Sequence, residues 1–378
     1  MSEDLADAFS GRSVLVTGHT GFKGSWLTLW LKRLGAEVAG YSLPPPTSPN
    51  NFEVSKLREV LTAHYEADIR DGERLAAAVN ETKPEIIFHL AAQALVRKSY
   101  VTPYETFDVN VMGTARLLEV VRTTRRPCVV IVITSDKCYE NEGFDRGYEE
   151  SDKLGGTDPY SASKGMAEIL TFAYRHSFFD LDRIGEHGVK IATTRAGNVI
   201  GGGDWAEDRI IPDMVASLSA NQPVLVRNPA AIRPWQHVLE PLSGYLLLAK
   251  RLLEPDGERF CSAWNFGPRE GEETDVKTLV EKFLAVWGQG EWKDVSDPHQ
   301  VHEDALLRLK IGKAERELGW RPRWNLEEAI KRTACWYRCF LRGEGDMQKV
   351  CLEDIAAYEH VRAEVQNDHW EERWDEGL

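Results

Sequence analysis

A glycine-rich turn between a short apolar run and a helix constrains this chain more than any other feature. Ser13 to Thr17 reads Ser-Val-Leu-Val-Thr, apolar and β-branched, and predicts a buried strand. Gly18-His19-Thr20-Gly21-Phe22-Lys23-Gly24 follows at once. A periodic segment from about Lys23 to Leu34, stopped by Gly35, predicts a helix directly after it. Glycines at such a turn let the backbone approach a pyrophosphate, which then lies at the helix N-terminus. Glycine-rich turns are common. Placement between the first strand and first helix of an alternating pattern is what points to dinucleotide binding.

The alternation continues. Further strands are predicted at Glu37 to Tyr41, Glu85 to Leu90, Cys128 to Thr134 and Lys190 to Thr194. Helices fill the gaps, notably about Pro103 to Arg122 and Asp158 to Phe179. Strands that are apolar throughout and separated by helices imply a parallel sheet covered on both faces, a doubly wound α/β (Rossmann) layout. After Arg195 the segments become shorter and richer in Pro and Trp. The expected organisation is a dinucleotide-binding domain over 11–197 and a smaller C-terminal substrate-binding domain over 198–345, with 238–267 returning to the first. The last part, 346–378, holds ten acids and three bases and is expected to be an acidic, solvated helical extension.

Composition sets limits. Forty-six basic against sixty acidic residues give a net charge of −14, which argues against broad affinity for nucleic acid or anionic membrane. No apolar run approaches the roughly 18 residues of a membrane span, and the acidic opening Met-Ser-Glu-Asp-Leu-Ala-Asp lacks the features of a signal peptide. Six cysteines, none with zinc-site spacing and a companion histidine, predict no metal site and fit a reducing cytoplasm. Cys335 and Cys339, one turn apart among apolar residues, are expected to pack in the core.

The adenosine ribose usually meets an acid about 20 residues beyond the glycine turn. Ser42 occupies that place here, and no arginine lies between Tyr41 and Phe52 to receive a 2′-phosphate, so NAD is favoured over NADP. Tyr160-Ser161-Ala162-Ser163-Lys164 is a YxxxK on a predicted helix. Residues four apart share a face, so the Lys164 ammonium is expected to favour Tyr160 phenolate and lower its pKa, making Tyr160 a usable base. A YxxxK alone also occurs on solvated helices; its weight comes from the glycine turn and from Ser135 upstream.

Taken together, these motifs resemble the extended short-chain dehydrogenase/reductase family, over Gly11 to about Arg342. The resemblance implies a catalytic group of Ser135, Tyr160 and Lys164. It also implies NAD contacts from Gly18, Thr20, Gly21, Phe22, Lys23, Gly24, Ser42, the pair Asp68-Ile69, Leu90-Ala91-Ala92 of His89-Leu90-Ala91-Ala92-Gln93, Asn110, Thr134, Tyr160 and Lys164. In nucleotide-sugar 4,6-dehydratases of this family an acid and a base follow the serine. Here they are Asp136-Lys137, and together with Gly21-Phe22-Lys23-Gly24-Ser25-Trp26 and Arg233-Pro234-Trp235-Gln236-His237-Val238 they resemble the branch acting on a cytidine diphosphate sugar. That implies CDP-glucose as substrate, Asp136 as the acid that expels the C6 hydroxyl, and Lys137 near C5. An ammonium must lose its proton to act as a base. Lys137 is therefore expected either to take the C5 proton, alone or through water, or to stay charged and stabilise the enolate.

Gln93, Asn198, Arg209, Arg233 and His237 are candidate substrate contacts, with guanidinium suited to diphosphate. A satisfied structural histidine is an equal reading of His237. Trp205 and Trp235 fall in loops where a sugar or base could stack. The rival readings are a 4-epimerase, a dehydratase for a UDP-, dTDP- or GDP-sugar, and a non-catalytic NAD-binding scaffold. Family members commonly dimerise through the two helices expected near Pro103 to Arg122 and Asp158 to Phe179, which implies a homodimer or homotetramer.

Overall fold

The computed structural model describes residues 2–144, 146–296 and 307–361. Its centre is a seven-stranded sheet built from β1 (Ser13–Thr17), β2 (Glu37–Ser42), β3 (Ala63–Glu66), β4 (Ile86–His89), β5 (Cys128–Ile133), β6 (Val189–Ala196) and β7 (Ala263–Phe266). The spatial order is β7-β6-β5-β4-β1-β2-β3, and every pairing is parallel. β7 is the returning strand, paired with β6 from Ala263 opposite Thr193 to Phe266 opposite Ala196. The order reverses between β1 and β4, which opens a crevice at the carboxyl ends of those strands.

Alternating side chains feed two cores. Val14, Val16, Ile86, Phe88, Val129 and Ile131 face one cluster, while Leu15, Ile87, Val130 and Val132 face the other. The principal helices are α1 (Ser2–Phe9), α2 (Phe22–Arg33), α3 (Gly72–Thr82), α4 (Pro103–Phe107), α5 (Gly113–Thr124), α6 (Pro159–Ser177), α7 (Leu239–Leu253), α8 (Val276–Trp287), α9 (Leu326–Arg342) and α10 (Met347–His360). α4 and α5 are joined by a π-helical turn over Asp108–Met112, where the periodicity predicted one unbroken helix. The wider turn carries Asn110, whose side chain is drawn out of the helix to the loop after β4.

Two expectations are corrected. The acidic C-terminal extension is helical but not a solvated appendage: on α10, Cys351, Ile355 and Tyr358 are fully buried. Trp30 Nε1 donates to Glu359 Oε1 at 2.9 Å, and Tyr358 donates to Glu240 Oε2 at 2.6 Å. The charges of α10 hid a buried stripe of Met347, Cys351, Asp354, Ile355, Tyr358 and Glu359, two of its six members acids themselves. The part of the extension from 362 to 378 lies outside the described residues. Cys335 is exposed and Cys339 half-buried, because α9 turns Ala334, Trp336 and Tyr337 inward instead. All six cysteines are free thiols.

The Glu240 carboxyl, buried in α7, accepts from Trp324 N and Arg323 N as well as from Tyr358, and burial pushes it up to about 7 from 4.5. The folded chain therefore holds a proton that the unfolded chain loses near 4.5. This contribution to stability is fully present below that pH and is lost as pH rises toward 7. Glu240→Gln removes the dependence. In urea unfolding, the stability of the parent relative to Glu240→Gln is expected to fall by on the order of 1–3 kcal/mol between about pH 5 and 7.5; a difference constant with pH would contradict this.

Candidate active site

The site begins at the turn between β1 and α2. Gly18 has φ +75°, and a Cβ there would stand 2.7 Å from Ala91 N. A Cβ on Gly24 would stand 2.1 Å from Gly18 O. The turn is thus pressed against Leu90-Ala91 at the end of β4 on one side and against α2 on the other. Gly21 caps α2 with no side-chain hydrogen bond, and the first turn of α2 holds no acid, so its amides and positive dipole end remain available to an anion. Thr20 Oγ1 lies 2.8 Å from Ser42 Oγ and donates to Leu43 O at 2.9 Å. A pyrophosphate with a ribose beyond it fits this cradle, and side chains on Gly18 or Gly24 would force its backbone apart.

The remaining expected cofactor contacts are more varied. Leu90 N donates to Thr17 O and Ala91 N to Thr17 Oγ1, which seats the β4 end. The Asp68 carboxylate is held below its ordinary range by Arg70, which donates to it at 2.6 Å, and Ile69 is buried against Gly113. Asn110 is a staple: it accepts from Gln93 N and donates to Gln93 O and to Ser163 Oγ on α6. The Thr134 hydroxyl turns away to Glu168 Oε1. Ala92, half-buried, follows Ala91 in the same loop. The Phe22 ring lies where a Cβ on Gly201 would meet it at 3.1 Å.

Ser135, Asp136, Lys137, Tyr160 and Lys164 converge where β5 ends. Ser135 caps a short 3-10 turn over Asp136–Cys138, and its Oγ donates to Asp136 Oδ1 at 2.9 Å. Its hydroxyl also lies beside the Tyr160 phenol and opposes the rise of its pKa. Pro159 and the cap Asp158, which accepts from Ser161 N at 3.0 Å, start α6 so that Tyr160 lies in its first turn. Lys164 follows one turn later, with Nζ 6.0 Å from the Tyr160 ring centroid and donating to Ile133 O at 3.2 Å.

Electrostatics correct one expectation. Burial, not the Lys164 charge, dominates Tyr160 and pushes its phenol up to about 12, against the Ser135 hydrogen bond and the Arg209 charge. Burial likewise pulls Lys164 down to about 8. Asp136 is also raised, by burial first, against the pull of Lys137, Ser135 and Lys23. The Lys23 ammonium, which the glycine motif presented only as part of a loop, is drawn into this group. Burial and repulsion by Arg209 and Lys164 lower it to about 8, while Asp136 and Asp204 oppose that shift.

Some expected substrate contacts are gathered here and others are not. Gly197 packs against Asp136, where a Cβ would stand 3.1 Å from Oδ2, and against Pro234, which brings the Arg233-Pro234-Trp235 string to the site. Arg209 donates to Asp204 Oδ2 at 2.7 Å; Asp204 was invisible to sequence reasoning, because an acid in a loop carries no pattern. Arg233 donates to Ile232 O within a strand pair with Thr274–Asp275. Asn198 O accepts from Gln236 N at 3.0 Å.

His237 is corrected to a core residue. It is fully buried between Trp26 and Trp324, and burial lowers its pKa to about 3. The Gln93 amide is engaged by Leu95 and Thr106 in a tight turn. Trp205 packs on Trp336, Tyr337 and Phe340, not in the crevice.

Gly24→Ala is expected to cost about 3 kcal/mol or more in chemical denaturation, since a backbone oxygen occupies the space its methyl needs. Gly72→Ala, with nothing within 4 Å, should stay within about 0.5 kcal/mol of the parent. Equal effects at the two positions would refute the packing of this turn.

The model of the GDP-mannose 4,6-dehydratase family matches residues 15–333. The chain is 49% identical over 350 residues to a CDP-glucose 4,6-dehydratase of Salmonella typhimurium, covering 93% of this chain and 97% of that one. It is 26% identical over 344 residues to a dTDP-glucose 4,6-dehydratase of Xanthomonas campestris, covering 85% and 92%. Among solved structures, a dTDP-glucose 4,6-dehydratase of Streptomyces venezuelae with NAD and TYD bound superposes with a TM-score of 0.74 at 24% identity, covering 88% of this chain and 99% of that one. A UDP-glucose 4-epimerase of Thermotoga maritima gives 0.72 at 23%, covering 87% and 99%. These two share the fold.

Proposed function

We propose that this chain, which belongs to the GDP-mannose 4,6-dehydratase family, converts CDP-glucose to CDP-4-keto-6-deoxyglucose and water with bound NAD. The observation that carries the reading is Asp136. It is a buried carboxyl held above its ordinary range and bonded to the same Ser135 hydroxyl that meets Tyr160. An epimerase needs no acid at that place, and a scaffold needs neither Tyr160 nor Lys164. The 49% identical relative supports cytidine over other bases.

The chemistry follows from carbon acidity. The C5 proton of a sugar is not removable until C4 is a ketone, which turns the C5 anion into an enolate. Tyr160 takes the C4 hydroxyl proton as the phenolate, its own proton having left to solvent, while Ser135 holds the oxygen. When bound, NAD supplies the acceptor for the C4 hydride and returns the same hydride at C6. Its pyrophosphate would be held by Gly18 to Gly24 and the N-terminus of α2. The adenosine would be held by Thr20, Ser42, Asp68 and Ile69, and the nicotinamide ribose by Tyr160 and Lys164. Leu90 and Ala91 would form the wall between these parts, with Ala92, Asn110 and Thr134 behind it.

Lys137, entering as the neutral amine, takes the C5 proton, alone or through water. The C5–H electron pair becomes the C5–C6 double bond as the C6–O bond breaks, and Asp136 protonates the departing hydroxyl to water. Lys137 then returns its proton to C5. The Ser135 hydroxyl, bonded to Asp136 and beside Tyr160, gives the proton taken from the C4 hydroxyl a route that resets Asp136, so the inventory closes. Arg209, Arg233 and Asn198 would bind the nucleotide diphosphate and sugar.

The division into a dinucleotide-binding part over 11–197 and a substrate part over 198–345 belongs to this proposal, as does a cytoplasmic setting. So does homo-oligomerisation: Val101, Tyr104 and Met112 beside Ile169 and Phe172 of α6 form an exposed apolar face on adjoining helices, which a second copy would cover.

Pure protein with NAD and CDP-, UDP- or dTDP-glucose in separate tubes is expected to yield, from CDP-glucose alone, a 4-keto sugar lighter by one water in NMR and mass spectra. Asp136→Asn should slow water loss by about 100-fold or more while C4 oxidation persists. A sugar epimerised at C4 with no mass loss would overturn the dehydratase reading. In sedimentation, Ile169→Glu with Phe172→Glu should shift the parent oligomer to monomer; an unshifted oligomer would place the interface elsewhere.

A further inference from the structure

The Asp136–Lys137 turn is short, yet its two ends are anchored by one buried charged network. Before the turn, Thr134 Oγ1 donates to Glu168 Oε1 at 2.5 Å. After it, the Tyr139 hydroxyl accepts from Arg195 Nη1 at 2.7 Å. Arg195 and Glu168 are each almost fully buried and paired through two bonds of 3.0 Å, from Nε to Oε1 and from Nη2 to Oε2. Glu168 stands on α6 one turn beyond Lys164 and two beyond Tyr160. The same ion pair therefore indexes the turn against the helix that carries the other half of the catalytic group.

The network also reaches outward. Tyr139 donates to Asn265 Oδ1 at 2.8 Å, and Asn265 Nδ2 donates to Tyr148 O and Lys310 O. Arg195 Nη1 also donates to Glu150 O at 3.1 Å. None of these side chains has a part in the proton transfers proposed above.

We infer that Glu168, Arg195 and Tyr139 are positioning residues that set the Asp136–Lys137 turn against Tyr160 and Lys164, so that elimination depends on them more than C4 oxidation does. The inference rests on the proposed dehydration. Tyr160 and Lys164 are fixed by α6 itself, whose capped first turn is independent of the ion pair. Asp136 and Lys137 lie on a three-residue turn flanked by two side chains that reach the ion pair, Thr134, which also donates to Thr194 O at 3.0 Å, and Tyr139. Loosening one anchor displaces the acid and base from C6 and C5 and leaves the C4 chemistry in register.

The test is Tyr139→Phe, which leaves the ion pair whole and removes only the hydroxyl between Arg195 and Asn265. With CDP-glucose deuterated at C4 or at C5, the variant is expected to lose about tenfold in kcat with KM within about twofold. Its C5-deuterium isotope effect should rise and its C4-deuterium effect should shrink, as elimination becomes limiting. Thr134→Val, which cuts the other anchor, should show the same split and serves if Tyr139→Phe does not fold. Thr193→Val removes another bond to the same carboxylate without touching the turn, and should not show it. Isotope effects unchanged from the parent in both anchor variants, or a split equal in Thr193→Val, would overturn the positioning role alone. A parent that dehydrates no nucleotide sugar would overturn the reaction and this inference together.

Discussion

Parallel pairing decides where chemistry can occur in this molecule. All seven strands point the same way, so every loop leaving a strand carboxyl end emerges along one edge of the sheet. The glycine turn after β1, the Leu90-Ala91 segment after β4, the Ser135–Lys137 turn after β5 and Gly197 after β6 meet there although they are spread over about 180 residues of chain. The contact of Gly18 with the end of β4 is possible only because β1 and β4 are adjacent and neither residue at the contact brings bulk. With the strand order reversing at that point, the crevice and the catalytic turn share one wall.

Burial is the second constraint, and it governs four ionisable groups of the crevice. Tyr160 and Asp136 are pushed up while Lys23 and Lys164 are pulled down, each with loss of solvent as the largest cause. The result favours neutral groups poised to exchange protons over a fixed array of ions. Charge persists where hydrogen bonds compensate for burial, as in Arg195–Glu168, whose carboxylate accepts from two threonines as well as from the guanidinium. Reactive groups and structural ions thus lie within two helical turns of one another and differ in how many donors surround them.

The C-terminal segments close the structure from behind. α10 lies against α2, and Tyr358 joins Glu240 and Ser243 of α7 in one buried group. Since α2 begins at the glycine turn, the far end of the chain supports the helix whose N-terminus faces the anion site.

The sequence by itself determined the alternation of strands and helices, the glycine turn and the Tyr160–Lys164 pair, because each is a local pattern: a period, a spacing or a strand-to-helix junction. The grouping of Ser135 and Asp136 with that pair was implied only by the family resemblance. The sequence also carried the family, through strings long enough to be specific. Tertiary structure alone decided what depends on neighbours distant in sequence. His237 looks like a contact in a motif but is enclosed by Trp26 and Trp324, and the Gln93 amide is engaged by Leu95 and Thr106. An acidic helix reads as solvated until the partners of its buried face, two acids among them, are known. The pKa of Tyr160 turned on desolvation, a property of everything packed around it, whereas the spacing to Lys164 reports one neighbour. Asp204, Glu168 and Tyr139 matter through partners 5 to 126 residues away, and no periodicity records such pairings.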